Sequence, residues 1–305
     1  MRSVNGPKIA MVGGGSTNWC PHLLNDLIQE PELEGSEIVL LDPNLEAALE
    51  VQAAAETQAR HWGRRFTVRA TRNEAEAFGG ADFVVITIST GGLASMKHDL
   101  AIPEKYGIHA TVGDTAGPGG WSRALRNIPV FVHLATTIER LSPRAVVLNY
   151  TNPMAVLTGA LAATSGLRSV GLCHGVFENY RLLTKIFGVE EKDLSVTFGG
   201  VNHFFWFLDF TVRGQPGYPL LRRKLRGRSL SQILAAGHAD GAGWHSRHLL
   251  WEELLRQYGY LAYAGDRHTC EFFPHYLAPD ERQLARFRIA RTTIAERAQV
   301  LKNSR

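Results

Sequence analysis

Short, continuously apolar segments alternate with amphipathic segments over the first two thirds of the chain. Continuous apolar runs of this length are typical of strands buried on both faces, and the segments between them have helical spacing. The predicted strands cover residues 8–12, 37–41, 66–69, 83–88, 145–148 and 169–172. This alternation favours an α/β fold with a doubly wound, mostly parallel sheet that helices cover on both sides.

The pattern changes near residue 195. Segments 196–198 and 204–212 predict longer strands that alternate only in part, and helical stretches and irregular aromatic segments follow them. A length of 305 residues fits two domains. We therefore expect a first domain over residues 1–195 and a second, α+β domain over residues 196–305.

Composition indicates an ordinary globular protein. Hydrophobic residues make up 45% of the chain and charged residues 20%, and the formal net charge is only +4. The basic excess is spread along the sequence except for one cluster at residues 222–228, which fits either a solvated helix face or a polyanion site. We expect no nucleic-acid partner.

Targeting signals and cysteine usage indicate a cytoplasmic location. The sequence contains no apolar run of about 18 residues, so we expect neither a membrane partner nor a secretory leader. Its three cysteines, Cys20, Cys173 and Cys270, are widely separated and odd in number. A disulfide framework is therefore not expected, and the cysteines serve either packing or chemistry.

A glycine-rich loop, Gly13-Gly14-Gly15-Ser16-Thr17-Asn18, follows the first predicted strand. Gly13 and Gly15 match the first two glycines of a dinucleotide fingerprint, in which the backbone approaches a pyrophosphate at a helix N-terminus. An ordinary turn has the same composition. Asp42 ends the second predicted strand, where an acid accepts hydrogen bonds from a ribose diol and repels a 2′-phosphate. These features together predict binding of NAD rather than NADP.

Two further segments suit polar ligands. The loop 113–120 leads into a helix on which Arg123 and Arg126 share a face, and such a pair can hold an anionic or hydroxyl-rich ligand. A solvated basic helix would look the same. The segment 149–153 breaks at the carboxyl end of a predicted strand, where its asparagines suit sugar hydroxyls or simply form a turn.

The sharpest pair of motifs is Cys173-His174-Gly175 and Gly200-Val201-Asn202-His203. A thiolate and an imidazole from two strand ends can together hold a divalent metal, although each residue alone is more often structural. A third segment, 265–274, concentrates Asp266, Arg267, His268 and Glu271 among aromatic residues. That concentration suits a general base with its positioning partners, or a charged turn.

Taken together, these segments resemble glycoside hydrolase family 4, the NAD- and manganese-dependent glycosidases. The matching segments span nearly the whole chain: 13–16, 113–120, 149–153, 173–174, 200–203 and 265–273. The resemblance implies a Rossmann-type domain, with NAD and Mn²⁺ as cofactors. It implies Cys173 and His203 as metal ligands, and NAD contacts from Gly13, Gly15, Ser16, Thr17, Asp42 and Asn149.

The mechanism that the resemblance implies is a redox elimination, an exception to the usual pair of carboxylates. Hydride passes from sugar C3 to NAD, a base removes the C2 proton, the aglycone leaves C1, water adds and the hydride returns. Asp266 matches the base of some members, with Tyr263 as the second candidate. His174 is expected near the leaving group or the sugar, and Asn152 and Asn202 near sugar hydroxyls.

The residue at position 175 indicates which sugar the resemblance implies as substrate. Cys-His followed by Gly resembles the α-galacturonidase and α-glucuronidase members, and Arg123 and Arg267 are the candidates for binding a C6 carboxylate. An α-galactosidase or α-glucosidase of the same family is the alternative. Outside the family, an NAD-dependent hydroxyacid dehydrogenase and a non-catalytic nucleotide-binding protein are the other hypotheses.

The length of the chain also bears on its expected activity. Family members are usually longer, so the second domain is expected to be incomplete at its C-terminus. A homo-oligomer, dimer or tetramer, is expected.

Overall fold

The computed structural model describes residues 6–235, 248–277 and 282–303. The chain forms two compact units. The first unit contains the described residues of Met1–Lys97, Ser122–Leu172 and Thr293–Arg305, and the second unit contains those of His98–Trp121 and Cys173–Thr292.

A six-stranded sheet forms the centre of the first unit. Its strands, in chain order, are β1 Lys8–Val12, β2 Glu37–Leu41, β3 Thr67–Thr71, β4 Phe83–Ile86, β5 Val146–Asn149 and β6 Arg168–Gly171. All neighbouring pairs are parallel, in the spatial order β3-β2-β1-β4-β5-β6. The doubly wound parallel sheet predicted from the sequence is confirmed, and its topology is that of a Rossmann-type domain.

Burial on both faces explains why these strands are continuously apolar. In β1, Ala10 and Val12 pack into one hydrophobic cluster, while Ile9 and Met11 pack into another. Successive side chains of a strand point to opposite faces, so both clusters draw on the central strands. The two clusters are the cores that lie on either side of the sheet.

Helices flank this sheet: α1 Cys20–Gln29, α2 Leu45–His61, α3 Glu74–Phe78, α5 Gly117–Leu141 and α6 Met154–Thr164. Helix α4 Gly92–Glu104 is divided between the two units, and α13 Ile294–Asn303 belongs to the first unit. The sequence pattern gives no prediction for α4. That helix contains Pro103 and lacks a regular spacing of apolar residues, so no periodic signal marks it.

The second unit is built around an antiparallel sheet. Its strands are β7 Leu194–Val201, β8 Phe204–Val212, β9 Gln215–Pro216 and β10 Leu261–Ala262, in the order β10-β8-β7 with β9 paired to β8. Its helices are α7 Gly175–Phe187, α8 Gly217–Lys224, α9 Leu230–Ala235, α10 Leu249–Tyr258, α11 Asp266–Thr269 and α12 Arg282–Phe287. The predicted second, α+β fold is present.

The compact units divide the chain differently from the expected boundary at residue 195. Residues 173–195 belong to the second unit. The reason is the apolar face of α7, where Leu182, Leu183 and Ile186 are buried in one cluster with Phe207 and Trp251. Burial of that face fixes the segment in the second core.

None of the helices in the described ranges combines the length and hydropathy needed to cross a lipid bilayer.

Candidate functional site

The glycine-rich loop lies tightly against the carboxyl ends of its neighbouring strands. The N–H groups of Gly13 and Gly14 both donate to the carbonyl oxygen of Leu41, at 2.9 and 3.1 Å. Gly13 has φ +86°, and a Cβ there would stand 2.2 Å from the Thr87 carbonyl oxygen. Only glycine fits this position. The absence of a side chain therefore lets this loop pack against the backbone that follows the neighbouring strand β4.

Asp42 lies beside that loop. Its Oδ2 accepts the Gly15 N–H at 3.0 Å and its Oδ1 accepts the Asn44 N–H at 2.8 Å. The loop closes on itself through the Ser16 N–H, which donates to the Gly13 carbonyl at 3.0 Å. Thr17 follows, partly exposed, ahead of α1. Five of the predicted nucleotide residues, Gly13, Gly15, Ser16, Thr17 and Asp42, thus form one contiguous feature of the first unit.

Asn149 and Asn152 lie at the turn between β5 and α6. The buried Asn149 amide donates to Thr151 O at 3.3 Å and Thr158 Oγ1 at 3.1 Å, and its Oδ1 accepts the Thr151 N–H at 2.8 Å. These bonds organise the turn itself. The Asn152 carbonyl accepts a hydrogen bond from Arg123 Nε at 3.0 Å, so Arg123 and Asn152 are neighbours within the first unit.

His203 is one of two residues that form the hairpin turn between β7 and β8. Val201 pairs with Phe204, which leaves Asn202 and His203 as the loop. His203 has φ +63°, a left-handed conformation that is uncommon for a residue with a side chain, and it is only 3% exposed. This turn directs the imidazole into the second unit, and such strained backbone is common at functional sites.

Thr115 fixes the orientation of that imidazole. Its hydroxyl donates to Asp114 Oδ1 at 2.8 Å and lies 3.2 Å from His203 Nδ1. Because the hydroxyl proton is used by Asp114, the network assigns a donated proton to Nδ1 of His203. The lone pair is then on Nε2, the atom that faces Cys173.

Cys173 Sγ lies 3.4 Å from His203 Nε2. In a tetrahedral zinc site, bonds of about 2.3 Å to sulfur and about 2.0 Å to nitrogen keep the two ligand atoms about 3.5 Å apart. The observed separation therefore fits two ligands of one metal ion. Burial raises the pKa of the Cys173 thiol, which a bound cation would counteract.

Three separate segments, a loop, a hairpin turn and the short helix α11, bring Asp114, His203 and His268 together. One ligand atom from each lies within 4.8 Å of the other two. Burial lowers the pKa of His203 to about 4 and that of His268 to about 3, so both imidazoles are neutral near pH 7. Neutral imidazoles and a carboxylate are donors that divalent cations accept, so this set fits a metal ion.

Tyr263 occupies a slot between two glycines. A Cβ at Gly175 would stand 2.9 Å from Tyr263 Cε2, and one at Gly265 would stand 2.5 Å from Tyr263 Cζ. The ring also stacks on His203, with centroids 5.6 Å apart. Burial, and secondly the nearby Cys173, raise the pKa of the Tyr263 hydroxyl. The fold thus places this phenol against the metal-binding candidates.

Asp266 is bound to the start of a helix. Its Oδ2 accepts the Leu250 N–H at 2.9 Å and its Oδ1 accepts the Trp251 N–H at 3.0 Å, in the first turn of α10. The side chain is 1% exposed. Both carboxylate oxygens therefore satisfy backbone donors that the helix cannot satisfy itself.

The other candidates of the second unit lie around this cluster. His174 is exposed and precedes α7, and its charge adds to the effect of burial in lowering the pKa of His203. Arg267 donates to the Thr111 carbonyl at 2.9 Å and to the Thr292 hydroxyl at 2.6 Å. Asn202 shares the hairpin turn with His203.

Sequence reasoning had not assigned roles to Asp114, Thr115, His268 or Glu271, although the motifs contained them. Their only signal was their presence in two polar, glycine-containing segments, 113–120 and 265–274. No spacing rule joins residues more than 150 positions apart, so the cluster exists only in the folded chain.

Comparison with known proteins decides the family. The model of the family 4 glycosyl hydrolases matches residues 8–189, and the model of their C-terminal domain matches residues 198–304. The chain belongs to glycosyl hydrolase family 4. The family resemblance inferred from the motifs is confirmed.

Individual family 4 relatives cover most of the chain. An α-galacturonidase of Thermoanaerobacter italicus is 36% identical over 285 residues, which are 90% of this chain and 61% of that protein. A solved structure of the candidate glucosidase lplD from Bacillus subtilis has a TM-score of 0.85 at 31% identity, over 98% of this chain and 70% of that one. The chain thus spans about three fifths of the curated relative's length.

A more distant structure shares the fold. It is a 6-phospho-α-glucosidase from gut microorganisms, solved in complex with NAD and Mn²⁺, with a TM-score of 0.77 at 21% identity. The alignment covers 98% of this chain and 69% of that one.

Proposed function

We propose that this family 4 chain hydrolyses unphosphorylated α-glycosides, with α-galacturonides as the first candidate and α-glucuronides as the second. The observation that carries the proposal is the cluster of Cys173, His203, Asp114 and His268 with Tyr263 packed against it. The α-galacturonidase relative supports the choice of sugar.

The cofactors of the proposal are NAD and a divalent metal, with Mn²⁺ as the first candidate. Bound NAD supplies a reversible hydride acceptor, and a bound divalent cation supplies a Lewis acid that stabilises negatively charged oxygen. The glycine loop with Asp42 would hold the nucleotide. Cys173 and His203 would hold the metal, and Asp114 and His268, whose ligand atoms lie near that of His203, would be further ligands. The gut-microbial 6-phospho-α-glucosidase that was solved with both groups supports this assignment.

Among the chain's own residues, Tyr263 is the better-placed base for the sugar C2 proton. Its ring lies on His203, and the Cys173 thiol is near enough to influence its pKa. A cation at this cluster favours the phenolate, because an opposite charge stabilises the ionised form. Asp266, the alternative base, already accepts two helix amides. Freeing that carboxylate would leave two buried donors without acceptors, which is costly.

Substrate orientation would fall to the remaining polar groups. Asn152 and Asn202 offer donors and acceptors to sugar hydroxyls. His174, which is exposed beside the metal cysteine, would contact the leaving group. Arg123 and Arg267 stay the two candidates for a bidentate contact with a C6 carboxylate.

The test is hydrolysis of aryl α-galacturonide, α-glucuronide, α-galactoside and α-glucoside with NAD, Mn²⁺ and a reductant. The proposal expects turnover of a uronide that disappears without NAD and in the Cys173→Ser variant. Preference for a neutral glycoside would move the assignment to α-galactosidase or α-glucosidase. Net NADH formation without aglycone release would instead identify a hydroxyacid dehydrogenase.

A further inference from the structure

The loop that carries Asp114 is held by a side chain outside the proposed ligand set. Glu271 Oε1 accepts three backbone N–H groups, from Thr111 at 2.9 Å, Val112 at 2.7 Å and Gly113 at 2.9 Å. One oxygen atom thus fixes three successive amides immediately before Asp114. Three donors that share one carboxylate acceptor constrain the loop backbone strongly, because hydrogen bonds to a charged acceptor are stronger than those between neutral groups.

The same loop has a second attachment to the same segment. The Thr111 hydroxyl donates to the Arg267 carbonyl, and Arg267 Nη2 donates to the Thr111 carbonyl at 2.9 Å. Arg267 and Glu271 therefore both bind the backbone of residues 111–113. His268, which lies between them in the sequence, contributes its imidazole to the cluster. The loop that supplies Asp114 and the segment that supplies His268 are thus hydrogen-bonded to one another close to their ligand atoms.

The carboxyl group of Glu271 is partly buried, unlike the carboxyl group of an ordinary surface glutamate. Its Oε2 is buried and has no hydrogen-bond partner among the residues that the structure describes. Burying such an atom costs free energy unless the group's other bonds offset it. Here the three hydrogen bonds that Oε1 accepts from backbone amides offset the free-energy cost of burying Oε2. That offset is available only while the 111–113 backbone keeps its conformation.

We propose that Glu271 is a positioning residue for the metal centre, which holds the Thr111–Gly113 backbone so that Asp114 and Thr115 meet His203 before a metal binds. The inference rests on the proposed function, since it takes Asp114, His203 and His268 as ligands. Through Thr115, the held loop also fixes the tautomer of His203, whose Nδ1 lies 3.2 Å from the Thr115 hydroxyl. Outer-shell partners of this kind orient ligands and tune metal affinity.

Three substitutions separate positioning from simple loss of stability. Glu271→Ala removes the acceptor, Glu271→Asp keeps the charge but shortens the reach, and Glu271→Gln keeps an amide oxygen at the same reach. Leu254→Ala is the matched control, because it destabilises the same core with an apolar side chain that cannot bond the loop amides. If Glu271→Ala does not fold, Glu271→Asp still tests the positioning role.

Mn²⁺ affinity by calorimetry is the first readout, and amide hydrogen exchange of residues 111–113 in metal-free protein is the second. We expect Glu271→Ala and Glu271→Asp to lose about 10- to 100-fold in affinity and to lose amide protection. Glu271→Gln and Leu254→Ala should keep affinity within about threefold. Cobalt-substituted protein provides a spectroscopic check, since the thiolate charge-transfer band of Cys173 should broaden in the Ala and Asp variants but not in Glu271→Gln or Leu254→Ala.

Unchanged affinity and unchanged amide protection in Glu271→Ala would overturn the proposal. A loss of affinity in Leu254→Ala equal to that in Glu271→Ala would also overturn it, because stability alone would explain the effect. Failure of the proposed function looks different: the wild-type chain would hydrolyse no glycoside whatever the Glu271 variants do to exchange and affinity.

Discussion

Gly175 and Tyr263 are in direct contact, and the contact leaves no room for a side chain at position 175. A Cβ there would stand 2.9 Å from Cε2 and 3.1 Å from Cζ of the ring. Sequence resemblance links Gly175 to the sugar that a family 4 enzyme accepts. The structure gives this glycine a local physical role: it admits the phenol that stacks on His203.

Gly175→Ala should therefore displace Tyr263. Overpacking costs about 1–3 kcal/mol of stability, and we expect kcat for the proposed substrate to fall by about tenfold or more, because the base would be misplaced. Chemical denaturation and steady-state kinetics measure the two effects.

Gly159→Ala is the control for that substitution. Gly159 lies in the interior of α6, and a Cβ at this position would meet none of the described residues within 4 Å, apart from its chain neighbours and the backbone of its own helix. Alanine there should stabilise the protein by about 0.5–1 kcal/mol and leave kcat unchanged. Wild-type kcat in Gly175→Ala would show that the position of Tyr263 does not matter to the reaction.

Tyr263→Phe and Asp266→Asn should separate catalysis from helix capping. Removing the phenol oxygen should lower kcat by about 10²- to 10⁴-fold with little loss of stability, as expected for a general base. Asp266→Asn replaces one of two acceptors at the start of α10 with a donor, so it should cost about 1–3 kcal/mol and change kcat only a few-fold. The reverse pattern of kcat losses would make Asp266 the base.

Cys173→Ser and Asp114→Asn should weaken metal binding without disturbing the nucleotide. Loss of a proposed ligand should raise the Kd for Mn²⁺ by at least about tenfold, whereas the Kd for NAD should stay unchanged because the glycine loop belongs to the first unit. Calorimetric titration of each ligand separately tests this. Equal Mn²⁺ affinity in all three proteins would remove these residues from the ligand set.

Asp42 should determine the choice of dinucleotide. Its carboxylate lies against the Gly15 amide, where it would accept ribose hydroxyls and repel a 2′-phosphate. We expect Asp42→Ser to narrow the preference for NAD over NADP by about tenfold or more, measured as the ratio of their Kd values. An unaltered ratio would place the ribose elsewhere.

Glu271 should make the stability of the metal-free protein depend on pH. Burial raises the pKa of its carboxyl from 4.5 to about 7. A raised carboxyl pKa means that the unfolded state releases this proton first, so its contribution to stability is complete below pH 4.5 and is lost as pH rises through about 7. Unfolding in EDTA should show wild type losing stability relative to Glu271→Gln over that range; a constant difference would contradict the prediction.

The parallel sheet could be predicted because its central strands are buried on both faces. Ile9 and Ala10 enter different cores, so the strand is an uninterrupted apolar run in the sequence. The packing of residues 173–195 with the second unit has no such signal in the sequence. The partners of Leu182 and Ile186, such as Phe207 and Trp251, are distant in sequence, and only folding brings them together.

The proposed metal ligands also differ in how far the sequence predicts their positions. Cys173 follows a strand of the parallel sheet and His203 joins two strands of the antiparallel sheet, so the pattern places each of them at the end of a predicted strand. Asp114 comes from an irregular loop and His268 from the short helix α11. The path of the loop depends on the hydrogen bonds that Glu271 accepts from residues 111–113. Hydrophobic periodicity does not predict such hydrogen bonds, because they involve backbone amides rather than apolar side chains.

The central claim is that sugar cleavage passes through removal of the C2 proton with transient oxidation by NAD. Hydrolysis of an aryl α-galacturonide in D₂O, followed by mass spectrometry and NMR of the released sugar, tests it most directly. The account predicts deuterium at C2 of the product, no net NADH, and loss of both cleavage and labelling without NAD or Mn²⁺ and in Tyr263→Phe. Product that forms with hydrogen retained at C2 would contradict it.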